Sequence, residues 1–379
     1  MAGHRSPLHP SIKRVERFPV SQALSNHSRR KVRLSGDLVL AGVAALSLVF
    51  LSVAFGGSPN SVARGDHRIA LRLAYFPNLT HAPAIVGIAR GEFQREASRY
   101  RIEPKVVNAG PEAMEALLAG EVDFAYVGPS PAVNTYLKSG GKALVILSGA
   151  CSGGASLISR GDLPIRSVAD LDGKRVAVPQ LGGTQDVSLR HFLDENGLAP
   201  QDRGGSVEII PVKNPDILAL FIEKQIDAAW VPEPWASRLK KDARAKTVVD
   251  ERDLWPGRRF TTTVLVARKA YADVHPDAVQ DVLLAHSISV GWLNANPEDA
   301  QKVVNSELKR LTGKALADSV MREAWSRVEF TSDPNRVNIV ALSEAAKKAG
   351  YLKGKIDLSH AFRSDSLAAV SPSPLAGVR

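Results

Sequence analysis

Val122-Asp123-Phe124-Ala125-Tyr126-Val127 and Ile226-Asp227-Ala228-Ala229-Trp230-Val231 follow one pattern. Each opens with a β-branched residue and an aspartate and runs on through apolar residues for the length of a buried strand. Each follows a helical stretch and leads through a proline-containing turn, Gly128-Pro129 or Pro232-Glu233-Pro234, into another helix. A strand set between helices and repeated far along the chain predicts an α/β protein of two related lobes. The match is short, and buried strands ahead of helices resemble one another in composition. If the two strands are unrelated, two α/β units remain.

Reading outward from the two copies gives the rest of the order. Ile69-Ala70-Leu71-Arg72-Leu73-Ala74-Tyr75 alternates like a strand, and a helix is expected over 83–93. A helix over 111–118 is stopped by Gly120, and Ser130 with Pro131 behind it suits a helix start. In the second half a strand over 175–179, a helix over 184–194 ended by Asn196-Gly197, a strand over 207–212 and a helix over 215–223 precede the second copy. A further strand covers 261–268. Helices over 277–294, 298–311, 316–328 and 337–349 are expected to complete the first lobe. The Ser-, Pro- and Ala-rich tail, 360–379, has no periodic apolar face and is expected to be disordered.

Three hundred and seventy-nine residues exceed a single core and suit two packing units. Apolar and charged residues make up 44% and 23%, ordinary globular usage. The formal charge of +10 points to nucleic acid only until it is located. In the basic N-terminal region, 1–36, Arg5, Lys13, Arg14, Arg17, Arg29, Arg30, Lys31 and Arg33 face only Glu16 as an acid before Val32-Arg33-Leu34-Ser35-Gly36 closes it. No basic and aromatic residues interleave to form a nucleic-acid track, so nucleic acid is not an expected partner. The lone Cys151 excludes an intrachain disulfide and reads as an inert small residue.

Residues 38–55, LVLAGVAALSLVFLSVAF, follow the basic run and carry no charge, so 37–57 reads as a signal peptide or membrane anchor. The positive-inside rule then puts everything after Gly57 in the periplasm or at the cell exterior. Membrane contact passes through this segment if it stays uncleaved. Val32 and Arg33 fit a twin-arginine signal poorly, and no lipobox cysteine closes the apolar stretch.

In open α/β sheets ligands lie beyond the carboxyl ends of the strands, which directs attention to the strand-to-helix loops. These offer Asn78, Thr80 and His81 after the first strand, Ser130 after the first copy, Gly183 and Thr184 ahead of the helix at 184, and Glu233 and Trp235 after the second copy. Ser152 and Gly153 lie in a loop between strands. Free N–H groups at helix starts accept an anion without a counter-charge, and neutral hydroxyl and amide donors suit an oxyanion that must be released again. Tyr75, Phe76, Tyr126 and Trp235 are available as an aromatic wall. Each residue also has a plainer role: Ser130 and Thr184 as helix caps, His81 as a turn residue, Trp235 as lobe packing, Glu233 as a charge at a helix start. No nucleophile elbow, zinc motif, Walker loop or dinucleotide fingerprint is present, so neither enzyme activity, a metal nor a cofactor is expected.

Taken in order, Tyr75-Phe76-Pro77, Ala89-Arg90-Gly91-Glu92-Phe93, Gly120-Glu121-Val122-Asp123 and Glu233-Pro234-Trp235-Ala236 resemble the nitrate/sulfonate/taurine-type substrate-binding proteins of ABC importers over about 68–352. The resemblance implies a type II periplasmic-binding fold: two α/β lobes joined by a two-strand hinge, lobe 1 from 68–159 plus 262–352 and lobe 2 from 160–261. It also implies capture of a small oxyanionic ligand such as a sulfonate, taurine or nitrate, delivery to ABC permease subunits, and a monomer. Two alternatives remain. One is a membrane-tethered ligand sensor. The other is an enzyme similar to the thiamine-pyrimidine synthases, which a chain with one cysteine and an export segment fits badly.

Overall fold

The computed structural model describes residues 68–363. The basic region 1–36, the segment 37–57 and most of the tail lie outside the described residues. Among the described residues no helix is long and apolar enough to cross a membrane.

The first half runs β1 (Ile69–Tyr75), α1 (Ala82–Ala89), α2 (Glu92–Glu96), β2 (Tyr100–Val106), α3 (Gly110–Leu118), β3 (Phe124–Val127), α4 (Pro129–Lys138) and β4 (Leu144–Gly153). The second runs β5 (Ala155–Ser159), β6 (Arg175–Val178), α5 (Thr184–Glu195), β7 (Glu208–Pro211), α6 (Asn214–Ile222), β8 (Ala228–Pro232), α7 (Trp235–Asp242) and β9 (Lys246–Asp250). The chain ends in β10 (Thr261–Arg268), α8 (Lys269–Val274), α9 (Pro276–Ala295), α10 (Pro297–Thr312), α11 (Asp318–Trp325), β11 (Val328–Phe330) and α12 (Arg336–Lys348). The helix expected over 83–93 breaks at Gly91, which takes a φ of 73°. The one expected over 316–328 stops at Trp325 and gives way to β11.

Two sheets result, ordered β11-β4-β10-β3-β1-β2 and β7-β6-β8-β5-β9. Without the short β11 they have one topology. In each sheet three parallel strands adjoin an antiparallel strand that the chain brings in directly from the other sheet, β10 in the first sheet and β5 in the second. The fold is therefore two-lobed α/β with two crossing strands. The lobe limits expected at Ser159 and Thr261 fall at the ends of these crossing strands. β5, grouped with the first lobe in the sequence reading, pairs with β8 and β9 in the second sheet. The chain changes sheets at Gly153-Gly154 instead, with φ of 73° and 71°. A Cβ on Gly154 would lie 2.5 Å from Val328 Cγ1, so close passage of β11 adds to the need for glycine. The tail expected to be disordered from His360 is docked at least to Arg363: Ala361 is buried, its carbonyl accepts the Ile146 N–H at 2.7 Å, and Arg363 N–H donates back to Ile146 at 3.0 Å.

The repeated sequence acquires a shared chemistry in the structure. In the first sheet Asp123, fully buried, accepts from Arg72 Nε at 2.9 Å and Nη2 at 2.8 Å, and from Arg268 Nη2 at 3.0 Å. In the second, Asp227 accepts from Arg175 Nε at 3.1 Å and Nη2 at 3.0 Å, and from Arg160 Nη1 at 3.2 Å. Each arginine pair joins the first parallel strand of its sheet to the crossing strand. The same guanidinium also holds a turn carbonyl, Gly120 in one lobe and Lys224 in the other. These brackets sit at the amino ends of the parallel strands and lock the crossing strand into the sheet, leaving the carboxyl ends free for a site.

Among the acids buried in the second lobe, Glu251 sits against its aromatic core. Glu251 is fully buried and accepts the Trp230 indole N–H at 2.7 Å, while Trp230 stacks on Phe192. Ser188 and the Trp255 indole lie close by without reaching hydrogen-bond geometry. Burial pushes the Glu251 carboxyl up to about 8. An unfolded glutamate loses its proton near pH ~4.3. Between those values the folded protein keeps a proton that the unfolded chain has lost, so stability falls as pH rises through this window and levels off above it. Glu251→Gln, which keeps an acceptor for Trp230, is expected to melt above wild type at pH 8, with the gap closing towards pH 5. Thermal melts across that range test it; a constant gap would mean the carboxyl is not held protonated.

Candidate functional site

Five strand-to-helix turns converge where the two sheets present the carboxyl ends of their parallel strands. From the first sheet, β1 to α1 brings Phe76, Asn78, Thr80 and His81, β2 to α3 brings Asn108 to Gly110, and β3 to α4 brings Gly128 and Pro131. From the second, β6 to α5 brings Pro179, Gln180, Gly183, Thr184 and Gln185, and β7 to α6 brings Asn214. Pro232 at the end of β8 and Thr262 in β10 complete a cavity of about 40 Å³. That exceeds the roughly 10–15 Å³ a single water requires. Among the described residues no lysine, arginine, aspartate or glutamate lines it.

Its electrostatics come from backbone and neutral groups. Helices α1, α3, α4, α5 and α6 all begin at the cavity, so five positive dipole ends point at one space. Four of them carry proline within the first two positions, Pro83, Pro111, Pro129 and Pro215, and lose an N–H donor there. α5 does not: Thr184, Gln185 and Asp186 open it without proline, and Asp186 braces the turn by accepting Gly182 N–H at 2.8 Å. His81 is buried and stacks on Phe76 with ring centroids 4.2 Å apart. Burial drives its pKa down to about 3, so the ring is neutral at ordinary pH. Its Nδ1 accepts Phe76 N–H at 3.4 Å, which leaves the ring proton on Nε2.

Of the residues singled out in the sequence, Asn78, Thr80, His81, Gly183 and Thr184 meet at the cavity. The others stand behind it. Trp235 donates its indole N–H to Asn78 Oδ1 at 2.8 Å, reaching from the second lobe to the first. Ser130 N–H, in the first lobe, donates to Thr184 Oγ1 in the second at 3.4 Å, while its own buried hydroxyl has no partner. Ser152 is buried within β4, paired with Thr261 and Glu329, and Gly153 is the end of that strand. Glu233 is fully buried, accepts from the Ser237 N–H at 3.1 Å and hydroxyl at 3.0 Å, and lies 3.8 Å from Arg327. Burial raises its pKa to about 7, with the Ser237 bonds and Arg327 opposing the rise.

The sequence reading missed Asn108 and Asn214. Asn214 is buried, and its Oδ1 has no partner. The available signal was Asn-Pro directly after an apolar strand, which marks a helix start at a strand's carboxyl end. Asn108 follows β2, a strand whose sequence, YRIEPKV, gives no buried-strand signal.

Further contacts join the lobes beyond the cavity lining. Tyr351 OH bonds Asp186, Arg203 Nη1 donates to the Lys348 carbonyl at 2.8 Å, and Lys240 pairs with Glu323. Arg327 reaches Asp250 at 3.5 Å. The lobes are closed on each other.

This chain is similar to several binding proteins. A protein of Brucella abortus (strain 2308), named as a binding protein, is 27% identical over 303 residues, 80% of this chain and 88% of the relative. The taurine-binding periplasmic protein of Escherichia coli (strain K12) is 29% identical over 238 residues, 62% of this chain and 71% of its own. Among solved structures, the alkanesulfonate-binding protein SsuA from Xanthomonas axonopodis pv. citri, bound to MOPS, superposes with a TM-score of 0.64 at 23% identity, over 76% of this chain and 96% of that one. That likeness identifies the fold as the type II periplasmic-binding architecture. The relatives named are binding proteins. The model of the NMT1-like family matches residues 65–306, most of the folded chain, and the protein belongs to that family.

Proposed function

We propose that this protein, an extracytoplasmic solute-binding protein in its broad class, captures a small oxyanionic organic ligand of the sulfonate, taurine or nitrate kind between its lobes and delivers it to an ABC importer. The observation that carries this reading is the convergence of five helix N-termini on a cavity lined by neutral donors and by no ionised side chain. A fixed cation would bind an anion tightly but release it slowly. Dipoles and neutral donors hold it and let go when the lobes part. The names of the taurine- and alkanesulfonate-binding relatives favour the same ligand class. On this reading Asn78, Thr80 and His81 contact the ligand from one lobe and Gly183 and Thr184 from the other. The closed form docks on the permease with one lobe per subunit, and the segment 38–55 provides export or anchoring.

A thermal-shift screen with alkanesulfonates, taurine, nitrate, bicarbonate, carboxylates and pyrimidines tests it. A ligand that binds only the folded state at a hundred times its Kd adds about 2.7 kcal/mol. One oxyanion class is expected to raise the melting temperature, and Thr184→Ala to lose most of that rise. A response to pyrimidines alone would overturn the oxyanion assignment.

A further inference from the structure

Resting on the oxyanion reading, we propose that the cleft selects head groups that only accept hydrogen bonds, and that Trp235 imposes this selection as a positioning residue without lining the cavity. An indole N–H can only donate, so the Asn78 atom facing it must be the carbonyl oxygen. With Oδ1 occupied at 2.8 Å, Asn78 has its N–H2 left for the cavity that it lines. Two neighbours are set the same way. His81 spends Nδ1 on the Phe76 N–H and keeps a proton on Nε2. Thr184 spends an Oγ1 lone pair on the Ser130 N–H, which leaves its hydroxyl proton to give. In each case a protein donor occupies one acceptor position, which leaves His81 with a donor alone and turns the N–H2 of Asn78 and the hydroxyl proton of Thr184 towards giving, with one lone pair remaining on each oxygen.

Two of these three orienting bonds, Trp235 to Asn78 and Ser130 to Thr184, run between lobes and in opposite directions. The donor array is therefore complete only when the lobes are shut, which ties recognition of the head group to closure. Asn214 differs: its amide is held by no hydrogen bond and can turn either end to the body of the ligand. A head group that turns its own N–H or O–H towards Asn78 N–H2 and His81 Nε2–H meets donors rather than acceptors there, and an unpaired buried donor is costly.

Calorimetry on the full chain in detergent, with ethanesulfonate and the neutral, isosteric ethanesulfonamide, separates the possibilities. Wild type is expected to prefer the sulfonate by about a hundredfold or more. Trp235→Phe keeps the ring but frees the Asn78 amide, and the preference is expected to fall by about tenfold. Mere loss of packing would weaken both probes alike and leave the ratio unchanged. Asn78→Asp keeps an oxygen for the indole but replaces the N–H2 with a second oxygen, and is expected to abolish sulfonate binding. If wild type binds ethanesulfonate and Trp235→Phe retains the full ratio, or Asn78→Asp retains affinity, this proposal falls and ligand capture stands. If wild type binds both probes equally well, this proposal falls and sulfonate capture stands; if wild type binds no ethanesulfonate, the sulfonate reading falls and this proposal with it.

Discussion

Gly128→Ala is expected to hold the two lobes apart and to weaken ligand binding by about 10- to 100-fold. Gly128 follows β3 and caps α4 with φ −64° and ψ 150°, an ordinary conformation for alanine, so the substitution puts no strain on its own lobe. The obstacle lies across the cleft. A Cβ built there overlaps the Thr184 hydroxyl and comes within 3.3 Å of Thr184 Cβ, on the first turn of α5. Inserting a methyl group into a close-packed contact costs roughly 1–3 kcal/mol, and here the cost applies to the closed state alone. Small-angle scattering with and without ligand gives the direct measurement. Wild type should become more compact and Gly128→Ala should stay extended, with its melting temperature without ligand close to wild type if the lobes themselves are intact. Equal compaction of the two proteins would mean that the lobes close along some path other than the one seen here.

Asp123→Ala is expected to cost about 3–5 kcal/mol of stability, the largest effect of any single substitution considered. The carboxylate is fully buried and joins Arg72 of β1 to Arg268 of β10; its removal strands two guanidinium groups at the base of the sheet and frees the crossing strand. Asp227→Ala removes the equivalent bracket of Arg175 and Arg160 in the second lobe. Asp227 is 9% exposed where Asp123 is 0%, so water can reach the stranded groups and the loss should be smaller. Urea unfolding followed by circular dichroism would rank them. A loss near zero for Asp123→Ala would show that the bracket is replaceable by solvent and that apolar packing alone seats β10.

The strands on which the fold rests were legible because they are buried on both faces. β3 and β8, buried throughout, read as continuous apolar runs at the same offset from an aspartate. Other strands were not legible. β2, YRIEPKV, is an edge strand with Pro104 and alternating charges; its identity comes from parallel pairing with β1 along its whole length, which no local pattern encodes. β9 is likewise a half-buried edge strand. The helix expected to run through 316–328 gave way to β11 at Val328 because Phe330 pairs with Cys151 at the rim of the first sheet, a tertiary contact that local helix propensity cannot anticipate.

The same division runs through the site. Loops at the carboxyl ends of strands were identifiable because a strand, a Gly- or Pro-bearing turn and a helix start are local features. The loops that carry Asn78, His81 and Thr184 to the cavity followed from them, and so did the two-lobed α/β class. Which neutral groups face the cavity and which stand behind it was not a local matter. Trp235 has the composition of a cleft wall, yet it fills the space behind Asn78; Ser130 has the composition of a ligand donor, yet its backbone N–H serves Thr184. Side-chain type and position in a loop determine what a residue can donate or accept, and those are written in the chain. Which partner uses up that capacity depends on two lobes meeting across residues distant in sequence, so only the closed tertiary structure could decide the polarity of the cleft.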